Sequence, residues 1–320
     1  MSVPPHLGMG DGAEFDAIRR LLEIWGANAI GIGDDAAIVD VPLGERLVVS
    51  TDASVEKIHF RREWLTPEEI GGRATAAALS DLAAMAATPR GLLLALALPE
   101  SWQAEIEAIA RGVGRVASAA GCPIVGGNIT RAAELSLTLT VLGSSVRPLE
   151  RSGALVGDDI YVTGRLGGPA AALRSWLEGH APSVEHRVRF TSPVPRLREA
   201  RWLAERGARA AIDLSDGLVG DASHLARASG VSMVLDERAI PCMEGVSVND
   251  ACVSGEEYEL LVAMPPDVIV DAAAFEREFG LPLKRIGQVD HAAPGTVRFL
   301  DGFMPSGLGH DHLSSWPPLP

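Results

Sequence analysis

Aspartates and hydroxyl residues stand together in four short segments of this chain, next to apolar stretches. The segments are Gly-Asp-Asp-Ala at 33–36, Ser-Thr-Asp at 50–52, Ser-Asp at 80–81 and Asp-Leu-Ser-Asp-Gly at 213–217. Carboxylate and hydroxyl oxygens suit hard divalent cations, and Mg²⁺ is typically held by a few carboxylates together with the phosphates of a substrate. Together the segments predict metal-assisted chemistry, although each one alone is more typical of a turn or a helix cap.

Asp81 resists that simpler interpretation. It lies inside an alanine-rich helical run at 76–85, Ala-Ala-Ala-Leu-Ser-Asp-Leu-Ala-Ala-Met, which we expect to be buried. A buried carboxylate requires an arginine, a hydrogen-bond donor or a metal ion as its partner. The sequence therefore predicts a partnered aspartate at this position.

A glycine pair supplies a second ingredient of phosphate binding. Gly126 and Gly127, followed by Asn128, come after an apolar dipeptide, and a tight glycine backbone presents N–H groups to an anion. A plain turn at the entry to a strand fits the same residues equally well. The Gly-x-Gly-x-x-Ala pattern at 31–36 matches a dinucleotide-binding fingerprint in form only, because strand-like sequence and not a helix follows it.

Composition limits the classes of protein to which the chain can belong. It has 320 residues, 47% of them hydrophobic, which suffices for the cores of about two domains. The 28 Lys and Arg against 42 Asp and Glu give a net charge of −14, which disfavours general nucleic-acid binding. Lys57 and Lys284 are the only lysines, and neither belongs to a Walker-type Gly-Lys-Ser/Thr.

The same counts bear on the cellular compartment. Three cysteines without paired spacing do not form a disulfide framework. The apolar runs are shorter than the ~20 residues of a membrane span, and the N-terminus lacks the pattern of a secretory leader. We therefore expect a cytoplasmic protein.

Helical and strand-like stretches alternate along the chain, so the predicted class is mixed α and β. Apolar periodicity predicts helices at 14–24, 67–87, 101–119, 169–177, 196–205, 218–228 and 268–279. Short apolar or alternating runs predict strands at 47–50, 92–98, 135–142, 159–163, 233–235, 258–263 and 296–300. A polar stretch at 144–158 is typical of a connection, and it places a domain boundary near residue 150.

Taken in order, these segments resemble the thiamine-monophosphate kinase family, part of a superfamily with aminoimidazole ribonucleotide synthetase and selenophosphate synthetase. The resemblance covers almost the whole chain, through segments 13–15, 33–37, 50–60, 79–85, 126–128, 151–154, 157–158, 213–218 and 255–261. It implies two mixed-sheet α/β domains of the aminoimidazole ribonucleotide synthetase-like type, residues 1–150 and 151–320. It also implies an active site between them and a homodimer formed through the N-terminal domains.

The activity that the resemblance implies is Mg²⁺-dependent transfer of the ATP γ-phosphoryl group to thiamine monophosphate, giving thiamine diphosphate and ADP. Such transfer depends on positioning and charge neutralisation, and several Mg²⁺ ions would offset the repulsion between two anionic substrates. Carried over motif by motif, the resemblance implies the metal ligands Asp34, Ser50, Thr51, Asp52, Asp81, Asn128, Asp213 and Asp216. The implied ATP contacts are Gly127, Asn128, Arg151 and Ser215. The implied substrate contacts are His59, Glu256 and Trp316.

Four positions depart from the family's pattern. Asn128 stands where aspartate is common, which removes one negative charge from the expected metal site. Glu257 replaces an aspartate and Lys57 replaces a glycine. His310 stands where the family has an aromatic residue suited to stacking on the thiamine ring, so Trp316 is the candidate to take that place.

Two other functions stay open at this point. The first is another ATP-dependent enzyme of the superfamily that acts on an amide; a selenide substrate is disfavoured because residues 1–53 contain no cysteine. The second is a non-catalytic nucleotide or metal sensor, which the missing charge at Asn128 motivates.

Overall fold

The computed structural model describes residues 12–307 of the chain, so His310 and Trp316 lie outside the described residues. The chain divides into two compact units, Met1–Pro148 with Thr191–Leu197, and Leu149–Phe190 with Arg198–Pro320. Each unit has its own mixed sheet with helices, which confirms the predicted class of two mixed-sheet α/β domains. Within residues 12–307, no helix is long and apolar enough to cross a membrane.

The first unit combines a four-stranded sheet with three α-helices. The helices are α1 (Ala13–Trp25), α2 (Pro67–Ala84) and α3 (Ile106–Ala119), and the strands are β1 (Arg46–Val55), β2 (Thr88–Leu98), β3 (Ile124–Arg131) and β4 (Ser136–Ser145). The strand order is β1-β4-β2-β3. Strand β4 runs antiparallel to both of its neighbours, whereas β2 and β3 are parallel.

Helix α2, which carries Asp81, is fixed at its start by a capping box. The Thr66 hydroxyl accepts the Glu69 N–H at 3.2 Å, and the Glu69 carboxylate accepts the Thr66 N–H at 2.9 Å. Pro67 supplies the first helical residue at little cost, since its missing N–H would have no helical partner there. Leu79 and Leu82 are fully buried, and their burial holds the last turns of α2 in the core.

Strand β1 sorts its side chains between two faces of the sheet. Val48 and Ser54 are buried, whereas Leu47 and Val49 are 51% and 54% exposed. Because side chains alternate along a strand, the even-numbered residues of β1 face the core and the odd-numbered ones face outward. This alternation decides which residues of the 50–52 segment can act together.

The second unit is built on a six-stranded sheet. Its strands are β5 (Asp159–Thr163), β6 (Ala210–Asp213), β7 (Ser232–Leu235), β8 (Leu260–Met264), β9 (Leu283–Asp290) and β10 (Val297–Phe299), in the order β10-β7-β9-β5-β8-β6. This part of the chain also forms α4 (Gly168–Leu177), α5 (Val184–Thr191), α6 (Leu197–Glu205), α7 (Leu218–Ala228), α8 (Val248–Val253) and α9 (Ala272–Phe279). Leu218 and Leu225 of α7 belong to a buried cluster with Met233 and Leu261 of the sheet.

The sequence pattern misses five elements: α5, α8, β3, β6 and β9. Helix α5 is largely polar and β6 has four residues, so neither shows a repeated apolar period. Strand β3 contains Gly126 and Gly127, and glycine weakens the signal for a strand. The helix predicted at 101–119 is divided, because a 3-10 segment, Glu100–Glu105, precedes α3.

Candidate active site

A hydroxyl and a carboxylate of the first unit meet where β1 lies on α2. Ser50 Oγ donates a hydrogen bond of 2.5 Å to Asp81 Oδ2, so a hydroxyl group is one partner of Asp81, which is half-buried. Asp52 lies two residues further along β1 on the same face, and its Oδ1 accepts the N–H of Ala53 at 2.8 Å. These three side chains place several oxygen atoms on one side of the sheet.

Thr51 stands apart from that group. Its Cα is paired with that of Thr140 on β4, and the two hydroxyl groups lie 3.1 Å apart on the outward face. Ser50 and Asp52 are instead paired with Val141 and Leu139, which are fully buried. The hydroxyl of Thr51 is therefore on the opposite side of β1 from Ser50 and Asp52.

The Gly-Asp-Asp segment forms a tight turn ahead of β1. Gly33 has φ +129°, a conformation that L side chains rarely adopt, and Asp34 Oδ1 accepts the N–H of Asp35 at 2.9 Å. Ile32 lines a pocket of about 110 Å³ together with Gly127 and Asn128. The Asp34 turn thus belongs to the same region of the first unit as the glycine pair.

The glycine pair lies inside β3, so the expectation of a turn at 126–128 is wrong. Gly127 is in register with Leu94 and Asn128 with Ala95 of the parallel strand β2. A Cβ atom on Gly127 would lie 2.1 Å from the carbonyl oxygen of Leu94, so a side chain here would push the two strands apart. Helix α1 also lines this pocket, with apolar residues that include Trp25 and with the carboxylate-bearing Glu14.

His59 sits in a compact loop that follows β1. Its Nδ1 accepts the N–H of Val55 at 3.1 Å, and its own N–H is bonded to the carbonyl of Val55 at 2.9 Å. A backbone N–H can only donate, so the neutral imidazole carries its proton on Nε2. Lys57 closes the loop in a left-handed conformation, with φ +69° and a 2.7 Å hydrogen bond to Phe60 O.

The acidic loop of the second unit (residues 213–217) joins the end of β6 to α7. Its main chain is held by Asp221, whose Oδ2 accepts the N–H groups of Ser215, Asp216 and Gly217 at 3.0–3.1 Å. Asp221 is 2% exposed. Sequence reasoning missed this residue, although an acidic residue in the first turn of a helix is the pattern that identifies such a cap.

Three carboxylates crowd together at this loop. Burial is the main reason that the pKa of Asp221 is raised to about 7; the nearby charges of Asp216 and Asp213 contribute to the increase, and the backbone N–H groups oppose it. Within the described residues, no three His, Cys, Asp or Glu side chains are arranged to hold a metal ion by themselves. A cation bound here would need further ligands, of which substrate phosphates are one kind.

Arg151 and Ser215 occupy different settings in the second unit. Arg151 lies in a 3-10 turn, Arg151–Gly153, where its carbonyl oxygen accepts the Ser229 hydroxyl at 2.6 Å. Its guanidinium group is exposed and makes no hydrogen bond or ion pair with any residue in 12–307. The carbonyl oxygen of Ser215 accepts the N–H of Glu256 at 2.7 Å, which joins the acidic loop to the predicted substrate contact.

Glu256 lies on a segment that is folded tightly against the acidic loop. A Cβ atom on Gly255 would lie 2.8 Å from the carbonyl oxygen of Ser215, so the close approach depends on glycine. Glu256 is half-buried, and the two residues that follow it are buried. The second unit therefore brings Asp213, Asp216 and Glu256 into one region.

Comparison with known protein families identifies the class of protein to which this architecture belongs. The family models for AIR synthase related protein match the chain with an N-terminal domain over residues 33–145 and a C-terminal domain over residues 156–299. The fold and the oxygen-rich segments in both units thus define an AIR synthase related protein.

Similarity to individual proteins gives a more specific family assignment. The thiamine-monophosphate kinase of Salmonella typhimurium is 35% identical, with 94% of this chain and 98% of that protein aligned. The solved thiamine-monophosphate kinase from Stenotrophomonas maltophilia is 34% identical with a TM-score of 0.80, over 92% of this chain and 97% of that one. The structure of AaThiL complexed with AMPPCP and TMP is 28% identical with a TM-score of 0.75, over 93% and 95%. The chain belongs to the thiamine-monophosphate kinase family.

Proposed function

We propose that this protein transfers the γ-phosphoryl group of ATP to the phosphate of thiamine monophosphate, giving thiamine diphosphate and ADP. The observation that carries the proposal is the match to thiamine-monophosphate kinases over nearly the whole chain, in both sequence and fold. The relative that was solved with AMPPCP and TMP supports the pair of substrates.

The oxygen donors of the chain fit Mg²⁺ as the bound cation. Carboxylates and hydroxyl groups are the donors that this ion prefers, and few protein ligands suffice because phosphates and water complete its coordination. When bound, Mg²⁺ neutralises the charge that develops on the transferring phosphoryl group. The proposed ligands are Asp34, Ser50, Asp52, Asp81, Asn128, Asp213 and Asp216; the Thr51 hydroxyl, on the other face of β1, is left out of this set.

The remaining assigned residues contact the two substrates. Arg151 clamps a phosphate of ATP, since a guanidinium group without a protein partner among residues 12–307 is available to an anion. Gly127, Asn128 and Ser215 contribute further ATP contacts. The chain needs no nucleophile of its own, because a phosphate oxygen of the acceptor attacks the γ-phosphorus.

Thiamine monophosphate has a phosphate group and a cationic thiazolium ring, and the two assigned side chains match both. His59 donates its Nε2–H to the phosphate group, because Nδ1 is already occupied by the N–H of Val55. Glu256 supplies a carboxylate to the cationic part. Trp316, outside the described residues, is proposed to stack on the thiamine ring.

A product assay tests the proposal. Purified protein is incubated with ATP, Mg²⁺ and thiamine monophosphate, and chromatography resolves thiamine diphosphate and ADP, which we expect in equal amounts. An amide-bearing ribonucleotide in place of thiamine monophosphate is the matched control for the amide-activating alternative. Turnover with the amide and none with thiamine monophosphate would reject the kinase.

The substitution Asn128→Asp separates the kinase from a non-catalytic sensor. For the kinase, we expect the unmodified protein to turn over, and the added carboxylate to lower the Mg²⁺ concentration at half-maximal velocity by a few fold. A sensor would be inactive as it stands and would gain activity with the aspartate. That second outcome would contradict the proposal.

We also propose a homodimer formed through the outward face of the first unit's sheet. Leu47 and Val49 are about half exposed on this face. Neighbouring half-exposed apolar residues on a sheet face are suited to packing against a second copy of the chain. Sedimentation is expected to give about twice the chain mass of 33.6 kDa. Val49→Asp is expected to give monomers, whereas Ile269→Asp, at a residue 96% exposed in the second unit, is the control. A dimeric Val49→Asp protein would overturn this interface.

The two halves of the chain receive different tasks in this proposal. Dimerisation and most of the metal and nucleotide contacts are assigned to residues 1–150, whereas residues 151–320 supply the metal ligands Asp213 and Asp216 and further contacts with ATP and substrate. We assign the reaction to the cytoplasm, because it consumes ATP and because Cys122, Cys242 and Cys252 are free thiols.

A further inference from the structure

Two non-glycine residues in left-handed conformations flank Glu257. Glu256 has φ +61° and Tyr258 has φ +52°, and they are two of the four non-glycine residues with positive φ in the described chain. Such conformations are unfavourable for L residues and persist only where the surroundings enforce them. The segment that carries the substrate contact Glu256 is therefore held in place by its neighbours.

Backbone hydrogen bonds fix one side of this segment. The N–H of Glu256 donates to Ser215 O at 2.7 Å, and the N–H of Tyr258 donates to Leu214 O at 2.8 Å. These bonds tie both strained residues to the acidic loop. They leave open what holds the side chain of Glu257, which lies between them.

Arg189 of α5 holds the same segment through Glu257 and Glu259. Its Nη2 lies 3.2 Å from the carbonyl oxygen of Glu257, 3.3 Å from Glu257 Oε2 and 3.0 Å from Glu259 Oε1. The side chains of both glutamates are fully buried, whereas that of Arg189 is 18% exposed. One guanidinium group thus balances two buried carboxylates and also binds the main chain of the strained segment.

Each glutamate has a second anchor. Glu257 Oε1 accepts the N–H of Gly167 at 2.5 Å, just before α4 begins. Glu259 Oε2 accepts the hydroxyl of Thr163 at 2.6 Å, at the end of β5. The arginine therefore holds the 256–258 segment against two elements of the second unit's framework.

We propose that Arg189 is a positioning residue for substrate binding: by holding Glu257 and Glu259, it fixes the strained backbone that aims the carboxylate of Glu256 at thiamine monophosphate. The proposal rests on the proposed function of Glu256. It gives α5 a role in recognising the substrate, although none of its residues is assigned a contact with substrate.

Kinetics of Arg189→Met test this role. The substitution keeps an unbranched, flexible side chain of the length of the arginine stem and removes the guanidinium group with its charge and its hydrogen bonds. We expect the KM for thiamine monophosphate to rise at least tenfold, with the KM for ATP within twofold of the unmodified enzyme. Arg189→Lys is expected to have a KM for thiamine monophosphate close to that of the unmodified enzyme, because all three contacts come from one nitrogen atom that an ammonium group can replace. Arg298→Met, which removes an exposed ion pair with Asp290, is the matched control.

A purely structural role would give a different result. The melting temperature of Arg189→Met would fall, while the KM for thiamine monophosphate, measured where the protein is folded, would stay within twofold; this outcome overturns the proposal. If Arg189→Met does not fold, Arg189→Met with Glu257→Gln removes one of the two unbalanced charges and is judged by the same criteria.

Hydrogen exchange separates this inference from the proposed function. The amides of Glu256 and Tyr258 are expected to exchange at least tenfold faster in Arg189→Met than in the unmodified protein, whether or not any substrate is turned over. Unchanged exchange contradicts the positioning role. An unmodified enzyme that does not phosphorylate thiamine monophosphate instead rejects the proposed function, and the exchange rates then decide the role of Arg189 alone.

Discussion

Ser50 and Asp81 are joined by a hydrogen bond of 2.5 Å, although 31 residues separate them in the sequence. The contact connects the middle of β1 to the last turn of α2, and it leaves Thr51 on the other side of the strand. The two neighbouring hydroxyl residues therefore have different surroundings, and their roles can be separated by substitution.

Ser50→Ala and Thr51→Val form a matched pair. Ser50→Ala removes an oxygen from the proposed metal site, so we expect kcat to fall at least tenfold or the Mg²⁺ requirement to rise by that factor. Thr51→Val removes only the hydroxyl contact with Thr140 and is expected to keep kcat within about twofold. Velocity measured against Mg²⁺ concentration checks both. Equal losses in the two variants would show that the side chain of Thr51 acts in the reaction.

Asp221→Ala is expected to impair both stability and turnover. Three backbone N–H groups of the acidic loop lose their acceptor, which costs on the order of 1–3 kcal/mol of unfolding free energy. Because the same loop carries Ser215 and Asp216, we expect kcat to fall at least tenfold. Asp271→Ala is the control, since Asp271 caps the exposed start of α9 and its loss costs about 1 kcal/mol without changing kcat. A full kcat in Asp221→Ala would show that the loop keeps its shape without this cap.

Glu257 makes stability depend on pH. Its pKa is raised to about 7, chiefly by burial and to a smaller extent by the charge of Glu259, against the opposing charge of Arg189. Between the unfolded value of 4.5 and about 7, the folded carboxyl group keeps a proton that the unfolded chain releases. The unfolding free energy contributed by this group is therefore complete below pH 4.5 and decreases as the pH rises through 7, by roughly 2–4 kcal/mol.

Urea unfolding at pH 5.0 and pH 7.5 measures this effect. Glu257→Gln keeps an acceptor for the N–H of Gly167 and cannot ionise, so its unfolding free energy is expected to change less between the two pH values than that of the unmodified protein. Glu244→Gln, at an exposed position, is expected to leave the difference unchanged. An identical pH dependence in Glu257→Gln would mean that Glu257 has an ordinary pKa.

Lys57 offers a test of backbone strain in the His59 loop. Its left-handed conformation is unfavourable for a lysine or an alanine and costs glycine little, while its Nζ forms an exposed ion pair with Glu134 at 2.8 Å. Lys57→Gly and Lys57→Ala both lose the ion pair, but only glycine relieves the strain. We expect the glycine variant to be about 1 kcal/mol more stable than the alanine variant by thermal unfolding. An alanine variant of equal stability would show that the strain is negligible.

Much of the site follows from local sequence, because oxygen-bearing residues next to apolar runs lie near the ends or edges of strands. The partnered Asp81 in α2 is found as the sequence predicts, whereas Asp213 ends β6, a strand that the pattern does not predict. Alternation shows which side of the sheet each residue of β1 faces, but only when the ends of the strand are known. The pattern predicts a strand at 47–50, whereas β1 extends over Arg46–Val55. For that reason Thr51 cannot be separated from Ser50 on sequence alone.

Other features depend on contacts between distant parts of the chain. Arg189 binds the carbonyl oxygen of Glu257, 68 residues away, and the sequence does not place the two near each other. Strand β3 is stabilised by pairing with β2 and the close approach at Gly127, which outweigh the low strand preference of two glycines. Helix α5 is short and largely polar, so the sequence does not predict the helix from which Arg189 reaches the buried carboxylates.

Transfer of labelled phosphate tests the central claim most directly. The protein is incubated with Mg²⁺, thiamine monophosphate and ATP labelled at the γ-phosphate, and the label is followed in thiamine diphosphate and in inorganic phosphate. We predict that the label enters thiamine diphosphate in a one-to-one ratio with ADP, and that Asp52→Ala abolishes the transfer while remaining folded. Label that appears only in inorganic phosphate, or transfer that is undiminished in Asp52→Ala, would contradict the account.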